Sequence, residues 1–427
     1  MIRESSSKPS LLLIAGYFPP VRISTGSIRP WNLARCLIEL GWEVTVVTPR
    51  ISIWNEKHLD NIENVKETIA KFGIKMIYTD HSLKCLAPWR YNVPSCKLYW
   101  FLGGILRKIA QFIGFQNWGG WVPSALKACK DLKPGDVDVI LATGAPFWGF
   151  TIAYRLSKRL KRPFIMDYRD LWTDNPWSPV NQKWVINQER KLLQNCAAVT
   201  IVSPISGEVL GEKYKVKHKV VAITNGYDVN DVMNVKALPF NHFSIIFAGS
   251  LISARMTLAT LFKVLTLVKE KSQNGWRFHY FGPNSDVVIR EVAEWGLQQE
   301  SIIHGNIPRQ ELLPYLKGAG LNIVLSSNSQ FPTMEDKGVI PGKVFELIGL
   351  KASILPIVPK GSAVEGIMAD VGITSFDHQE VEKIADYIME CICGYHPTIT
   401  NNSMYSWEEL AKKFDVLLKN LSKNING

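Results

Sequence analysis

No run of apolar residues in this chain is long enough to cross a bilayer. The nearest candidate, Leu98 to Phe115, is broken by Arg107 and Lys108, whereas a spanning helix needs about 20 apolar residues. The opening MIRESSSKPS is polar, and the apolar run behind it, Leu11 to Ala15, is too short for the core of an export signal. Cysteine is scarce. Seven residues are scattered as Cys36, Cys85, Cys96, Cys129, Cys196, Cys391 and Cys393. The number is odd and no CxxC spacing occurs, so neither a disulfide framework nor a zinc site is expected. Reduced thiols and a cytoplasmic location are the expectation. HExxH and GxGxxG are missing, and the eight histidines have no ligand spacing. No metal and no cofactor are expected.

Apolar residue types make up 46% of the 427 residues. That is enough to build sizeable cores in two or three domains, and it argues against disorder. Forty-nine Lys and Arg against 38 Asp and Glu leave a net charge of +11. Such an excess suits anionic partners: nucleic acid, anionic lipid or phosphate-bearing small molecules. Charge alone does not choose among them.

The order of elements is more informative. Leu11 to Ala15 reads as a strand, Arg29 to Leu40 as a helix stopped by Gly41, and Glu43 to Thr48 as a buried strand. Strand, helix, strand with short joints predicts a parallel sheet. The pattern recurs with strands at 138–143, 164–167, 198–203 and 220–223, and a helix over 149–161. It starts afresh at Phe243 with strands at 244–249, 277–282, 301–305 and 321–325. Tyr227 to Asn241 is the expected linker. A helical stretch, Ser406 to Leu421, closes the chain. Leu98 to Phe115 stands apart: it is either an interfacial helix near lipid or a buried helix or insert.

Several motifs fail on inspection. Gly338 to Lys343 approaches a P-loop but has three residues between its glycines, with Val344 where a hydroxyl is needed. Asp136-Val137-Asp138 spells the DxD of metal clamps, yet it lies at a turn into a strand. What remains is phosphate chemistry at the ends of strands, where helix N-termini offer free N–H groups. Three loops qualify. Val21 to Arg29 holds Gly26, Ser27 and Arg29; its alternative is an ordinary loop with Ser27 as a helix cap. Gly249 to Arg255 ends in an arginine that either pairs with a pyrophosphate or is merely solvated. Pro341 to Gly349 opens a helix carrying Glu346, which either accepts ribose hydroxyls or only complements the helix dipole.

These pieces resemble a known family. Tyr17-Phe18-Pro19-Pro20 followed by Gly26, Arg29 and Leu40 to Val46 is similar to the opening of family 4 glycosyltransferases of GT-B fold. Asp167-Tyr168-Arg169-Asp170-Leu171-Trp172 resembles their D-x-R-D-x-W segment. Thr224 to Asp228 resembles their N-G-[VYF]-D turn, Phe247 to Leu251 their second-domain strand, and Pro341 to Glu346 their P-G-K-x-F-E helix. The five occur in order over residues 11 to 350.

The resemblance implies an α/β GT-B fold: two Rossmann-like domains with parallel sheets facing across a cleft. It divides the chain into an acceptor domain over 1–230, with an apolar insert at about 98–121, and a nucleotide-sugar domain over 242–396. A helical tail over 397–427 packs back on the first domain. It implies sugar transfer from a nucleotide-sugar, with retention of anomeric configuration and no metal. The donor is a substrate, not a cofactor. Gly249, Arg255, Gly342, Lys343, Val344 and Glu346 would bind the donor. Gly26, Ser27, Arg29, Arg169 and Asp170 would face the acceptor, and Asp170, Arg255 and Glu346 would carry the chemistry. In the family's E-x7-E pair Glu346 keeps the second place and Gly338 stands in the first, with Glu335 and Asp336 close by. Ser250 stands at the usual arginine of a basic pair, and Arg255 fits the lysine.

Relatives that build surface polysaccharides, including lipopolysaccharide, imply a glycan or lipid-linked acceptor. They also imply a peripheral position on the inner face of the cell membrane, with an anionic lipid surface as partner and no nucleic acid. The basic cluster Arg155, Lys158, Arg159, Lys161 and Arg162 suits that surface, or is simply a solvated face. The rival functions are a non-catalytic GT-B subunit and a sugar-nucleotide epimerase or hydrolase.

Overall fold

The computed structural model describes residues 8–21, 26–50, 59, 62–82, 97–112, 118–251, 257–272, 275–327 and 329–423. Two units result. Unit 1 is Met1–Thr224 with Leu410–Gly427, and unit 2 is Asn225–Glu409.

Unit 1 runs β1 (Ser10–Ala15), α1 (Ile28–Glu39), β2 (Glu43–Pro49), α2 (Ile62–Lys71), β3 (Lys75–Thr79), α3 (Lys97–Phe112), α4 (Trp121–Ala128), β4 (Val139–Gly144), α5 (Trp148–Leu160), β5 (Phe164–Tyr168), α6 (Lys183–Asn195), β6 (Ala198–Ile201), α7 (Pro204–Tyr214) and β7 (Val220–Ala222). Its seven strands pair in the order β3-β2-β1-β4-β5-β6-β7, every pair parallel. Leu13 lies between Val46 and Leu141 in register. Strands β1 and β4 are buried throughout, which is why both read as unbroken apolar runs: helices cover both faces of a parallel sheet. Leu12, Ile14, Ile140 and Ala142 pack there with Trp121, Phe150 and Trp172. Gly41, at φ +94°, ends α1 in a backbone conformation that side chains resist.

Unit 2 runs α8 (Val229–Val232), β8 (Phe243–Ala248), α9 (Ala259–Lys271), β9 (Trp276–Phe281), α10 (Ser285–Glu294), β10 (Ser301–Gly305), α11 (Arg309–Gly318), β11 (Leu321–Leu325), α12 (Met334–Lys337), α13 (Lys343–Leu350), β12 (Ile354–Ile357), α14 (Ala363–Asp370) and α15 (Val381–Ile392). Its five parallel strands pair as β10-β9-β8-β11-β12. A last helix, α16 (Trp407–Lys423), begins in unit 2 and continues from Leu410 as part of unit 1.

Both sheets reverse direction of strand order once, between β1 and β4 and between β8 and β11. Loops at such a reversal leave a crevice at the carboxyl ends of the strands. The reversal therefore directs attention to the loops after β1 and β4 in unit 1, and to those after β8 and β11 in unit 2.

The stretch 227–241, expected as a linker, is an ordered part of unit 2. The Leu238 N–H donates to Pro314 O at 2.9 Å, and Lys317 Nζ to Val235 O at 2.7 Å. Gly318 leaves room for the Leu238 backbone, which a Cβ would strike. The expected strand over 198–203 stops at Ile201, because Pro204 opens α7 with the Ser203 hydroxyl capping Ser206 N–H at 3.3 Å. Strands β3 and β12 appear as well; KMIYT is half-exposed at a sheet edge and ILPI carries a proline, so neither has the signature of a central strand.

Candidate functional site

The loops after β1 and β4 are joined by one side chain. Arg169, just past β5, donates from Nε to Gly144 O at 2.8 Å, from Nη1 to Gly26 O at 2.8 Å, and from Nη2 to Ala145 O. All three acceptors are backbone carbonyls. Arg169 thus sets the shape of the loops, and its guanidinium is committed to them. Ser27 follows Gly26 as the first turn of α1 begins; its hydroxyl makes no capping bond, so it keeps the capacity to meet a ligand. Residues 22–25 lie outside the described residues.

Asp170 is solvent-exposed beside Arg169. One edge of the residue meets solvent, but the protein crowded around the carboxyl still raises it above the ordinary value, with the Arg169 charge pulling it back. The segment from β5 through Asp170 is pinned from below. Glu189 on α6, wholly buried, accepts from Tyr168 Oη at 3.0 Å, Thr173 Oγ1 at 2.6 Å and Tyr214 Oη at 2.7 Å. A buried carboxylate with three hydroxyl donors is satisfied rather than stranded.

Arg29 corrects the sequence reading. It was expected to face an acceptor, but it is 1% exposed and its partner Asp167 is 0% exposed. Arg29 Nε and Nη2 donate to Asp167 Oδ2 at 2.9 Å and Oδ1 at 2.7 Å. Nη1 and Nη2 also donate to Thr224 O at 2.8 Å and Ile223 O at 3.0 Å. Phe414 of α16 lies under the guanidinium, 5.4 Å from ring centre. Arg29 is a structural clamp with no face left for a substrate. Burial pushes the Asp167 carboxyl up, but Arg29 and the hydroxyls of Thr200 and Thr143 outweigh it and hold the group below the usual range.

In unit 2 the chemistry gathers at α13. The sequence KVFELIGL buries Val344, Phe345, Leu347, Ile348 and Leu350, which leaves Lys343 and Glu346, three apart, on the remaining face. Gly342 precedes the helix without a side-chain cap. Glu346 is 13% exposed. It accepts from Lys343 Nζ at 2.8 Å and from Arg309 Nε. Arg309, the first residue of α11, also donates from Nη1 to Asp231 Oδ2 at 2.9 Å. Burial alone would raise the Glu346 carboxyl; Lys343 and Arg309 reverse this and lower it, so it is an anion.

Two donor-side expectations change. Val344 is fully buried in the core of unit 2 and its N–H donates to Pro341 O at 3.1 Å, so neither its side chain nor its N–H is available to a donor. Gly249 lies at the end of β8 as expected, but its N–H is taken by Phe281 O at 2.9 Å and its carbonyl by Tyr280 Oη at 3.3 Å. The steric demand here falls on Gly282, whose Cβ would strike the Gly249 carbonyl, whereas a Cβ on Gly249 would meet only ordinary contacts with Phe247. Arg255 lies outside the described residues.

Of the two carboxylates near Gly338, Asp336 is buried and spent as a cap. Its Oδ2 accepts from Thr333 N at 3.1 Å and Oγ1 at 3.2 Å. Glu335 is half-exposed on the same short helix. The aspartates of the DxD are also occupied. Asp136 Oδ2 accepts from Lys133 N at 2.8 Å, and Asp138 Oδ2 from Ser10 N and Oγ, each at 2.8 Å.

Two groups escaped the sequence reading. Arg309 is 37 residues from Glu346, and no local spacing joins them. His242, His279 and His304 form a stacked relay, Nε2 to Nε2 at 2.9 Å and Nδ1 to Nε2 at 3.0 Å. Parallel pairing of β8, β9 and β10 brings them into line, which a one-dimensional spacing does not show.

Residues 29–231 match the model of the family described as Glycosyltransferase Family 4. No curated protein matches the chain. Among solved structures, a glycosyltransferase from Rickettsia africae is 18% identical, with a TM-score of 0.60, over 98% of this chain and 99% of that one. Sucrose-phosphate synthase from Thermosynechococcus elongatus is 13% identical with a TM-score of 0.64, over 97% and 99%. Anabaena HepE in complex with UDP is 13% identical with a TM-score of 0.52, over 98% of each chain. At these identities the likeness is one of fold, and it is the GT-B fold.

Proposed function

From a chain whose residues 29–231 belong to family 4 of the glycosyltransferases, we propose a sugar transferase that takes a nucleotide-sugar as donor. The family match carries this reading. The chemistry at α13 supports it: an ionised Glu346 beside two cations, at a helix start that has no side-chain cap. A carboxylate has about four lone-pair sites, so Glu346 keeps acceptor capacity for ribose hydroxyls while holding Lys343 and Arg309. Gly342, Lys343 and the helix dipole meet the diphosphate, with Arg255 as a further cation after β8. Because HepE is solved with UDP, a uridine nucleotide is the first donor to try.

The acceptor lies against unit 1, near Asp170, Ser27 and the Gly26 backbone. The acceptor hydroxyl attacks the anomeric carbon as the bond to the diphosphate oxygen breaks. The departing phosphate takes the hydroxyl proton, so configuration is retained and no metal is required. The acceptor is a glycan or lipid-linked precursor of a surface polysaccharide, reached from the cytoplasmic side of an anionic membrane.

A thermal-shift screen over UDP-, GDP-, ADP-, dTDP- and CMP-sugars tests the donor half. A ligand at 100 times its dissociation constant stabilises by about 2.7 kcal/mol. The expected hit is lost in Glu346→Ala and Arg255→Ala. A well-folded protein with no hit across the panel sinks the reading and favours a non-catalytic subunit. Donor consumed without any acceptor favours an epimerase or hydrolase. Proton NMR of the product's anomeric centre, with and without a chelator, tests retention and metal independence.

A further inference from the structure

We propose that α3 is a membrane-docking helix that lies flat in the headgroup region of an anionic bilayer. Among its described residues, the large apolar side chains are turned out of the protein. Phe101 is 67% and Phe112 86% exposed, and Leu102, Ile105, Leu106 and Ile109 are exposed with them. These six positions fall within an arc of about 140° on a helix of 100° per residue. Among the described side chains of this helix, Gly103 alone is buried, and it lies outside the apolar arc. The stripe follows from the sequence period and the burial together.

The occupant is argued from area, length and charge. These six exposed large side chains present roughly 500 Å² of apolar surface, at the upper end of what a soluble monomer shows. A stable pairing of two protein chains uses about 800 Å² on each side, more than this stripe offers. A helix of 16 residues is about 24 Å long, short of the roughly 30 Å hydrocarbon core, and no described helix is long and apolar enough to cross a membrane. Exposed Lys108 borders the stripe, and the chain carries a net charge of +11. An apolar face with a cationic border, too short to span, fits an interfacial helix on anionic lipid. The inference rests on the proposed function only for its purpose, which is to hold the protein beside a membrane-borne acceptor.

The test is flotation of the full chain with vesicles of phosphatidylglycerol and phosphatidylcholine in equal parts, at low salt and without nucleotide. The wild type is expected to float, and to float less on phosphatidylcholine alone. The triple variant Phe101→Ser, Ile105→Ser, Phe112→Ser changes only exposed positions, so its melting temperature should hold. It should need at least about tenfold more lipid for half-binding. Equal flotation of variant and wild type, or a wild type left at the bottom of the gradient, overturns the proposal. So does a wild-type dimer in sedimentation velocity that the variant dissolves, which would assign the stripe to a second copy. UDP-sugar binding, read by thermal shift on both proteins, stays separate: its loss in the wild type sinks the donor reading and leaves docking to stand on flotation alone.

Discussion

Arg29 and Asp167, 138 residues apart in sequence, form a two-pronged ion pair sealed inside unit 1. The same guanidinium holds the carbonyls of Ile223 and Thr224 at the close of that unit's first segment. Removing one partner leaves an uncompensated buried charge, which costs about 3–5 kcal/mol. Arg29→Ala should therefore lower stability by about that amount in urea titration, and Arg29→Lys should recover only part, since an ammonium cannot reproduce the fork. A loss under about 1 kcal/mol would contradict the clamp.

Glu346 is gripped by Lys343 and Arg309. Arg309→Ala removes the cation that no sequence motif pointed to. Donor affinity should fall by about 1.5–3 kcal/mol, the worth of a charge-assisted bond, seen by calorimetry as a tenfold or greater rise in Kd. Asp231→Asn should do less, because Asp231 touches Arg309 and not Glu346. Equal affinities in wild type and Arg309→Ala would remove Arg309 from the site.

Asp336 and Glu335 are neighbours with opposite assignments. Asp336→Ala breaks a cap and should cost about 1 kcal/mol of stability with turnover retained in the remaining folded protein. Glu335→Ala should leave the melting temperature unchanged and lower kcat. The reverse pattern would return the family's first acidic position to Asp336.

The histidine relay gives unit 2 an acid limit. Burial, with the charges of His304, His242 and Arg277, lowers His279 to about 4 from 6.5. The unfolded chain then binds the extra proton first. This contribution is complete above pH 6.5 and is lost as pH falls through 4, at most about 3 kcal/mol. His279→Gln should flatten the urea midpoint between pH 7 and 4.5. An unchanged pH profile in the variant would rule out the relay as its source.

The parallel sheets, most of their strands and the main helices were legible because β1, β4 and β8 are apolar runs between recognisable breaks, and buried parallel strands write themselves that way; the order of the strands was not. Local signals also fixed Gly41, the Asp138 turn and the α13 start. What stayed hidden was the use to which a charged side chain is put. Arg29, Arg169 and Arg309 look alike in a sequence, yet one is a buried clamp, one braces loop carbonyls and one grips a carboxylate. The difference lies in partners 138, 143 and 37 residues away. Val344 misled for the opposite reason: it sits in a motif between outward-facing Lys343 and Glu346, but helix periodicity turns it, with Phe345, into the core.

Unit 1 is written in two pieces, with all of unit 2 between them. Leu410, Ala411, Phe414 and Leu418 are among its most buried residues, and Trp42 Nε1 donates to Asp415 Oδ1 at 2.8 Å. During synthesis, residues 225–409 leave the ribosome as an uninterrupted block ahead of those side chains. Unit 2 can therefore complete its core during synthesis, while unit 1 waits with an open seat beneath Arg29 until α16 arrives. A released chain truncated at residue 409 should be protease-resistant in its later half and cut readily in its earlier one.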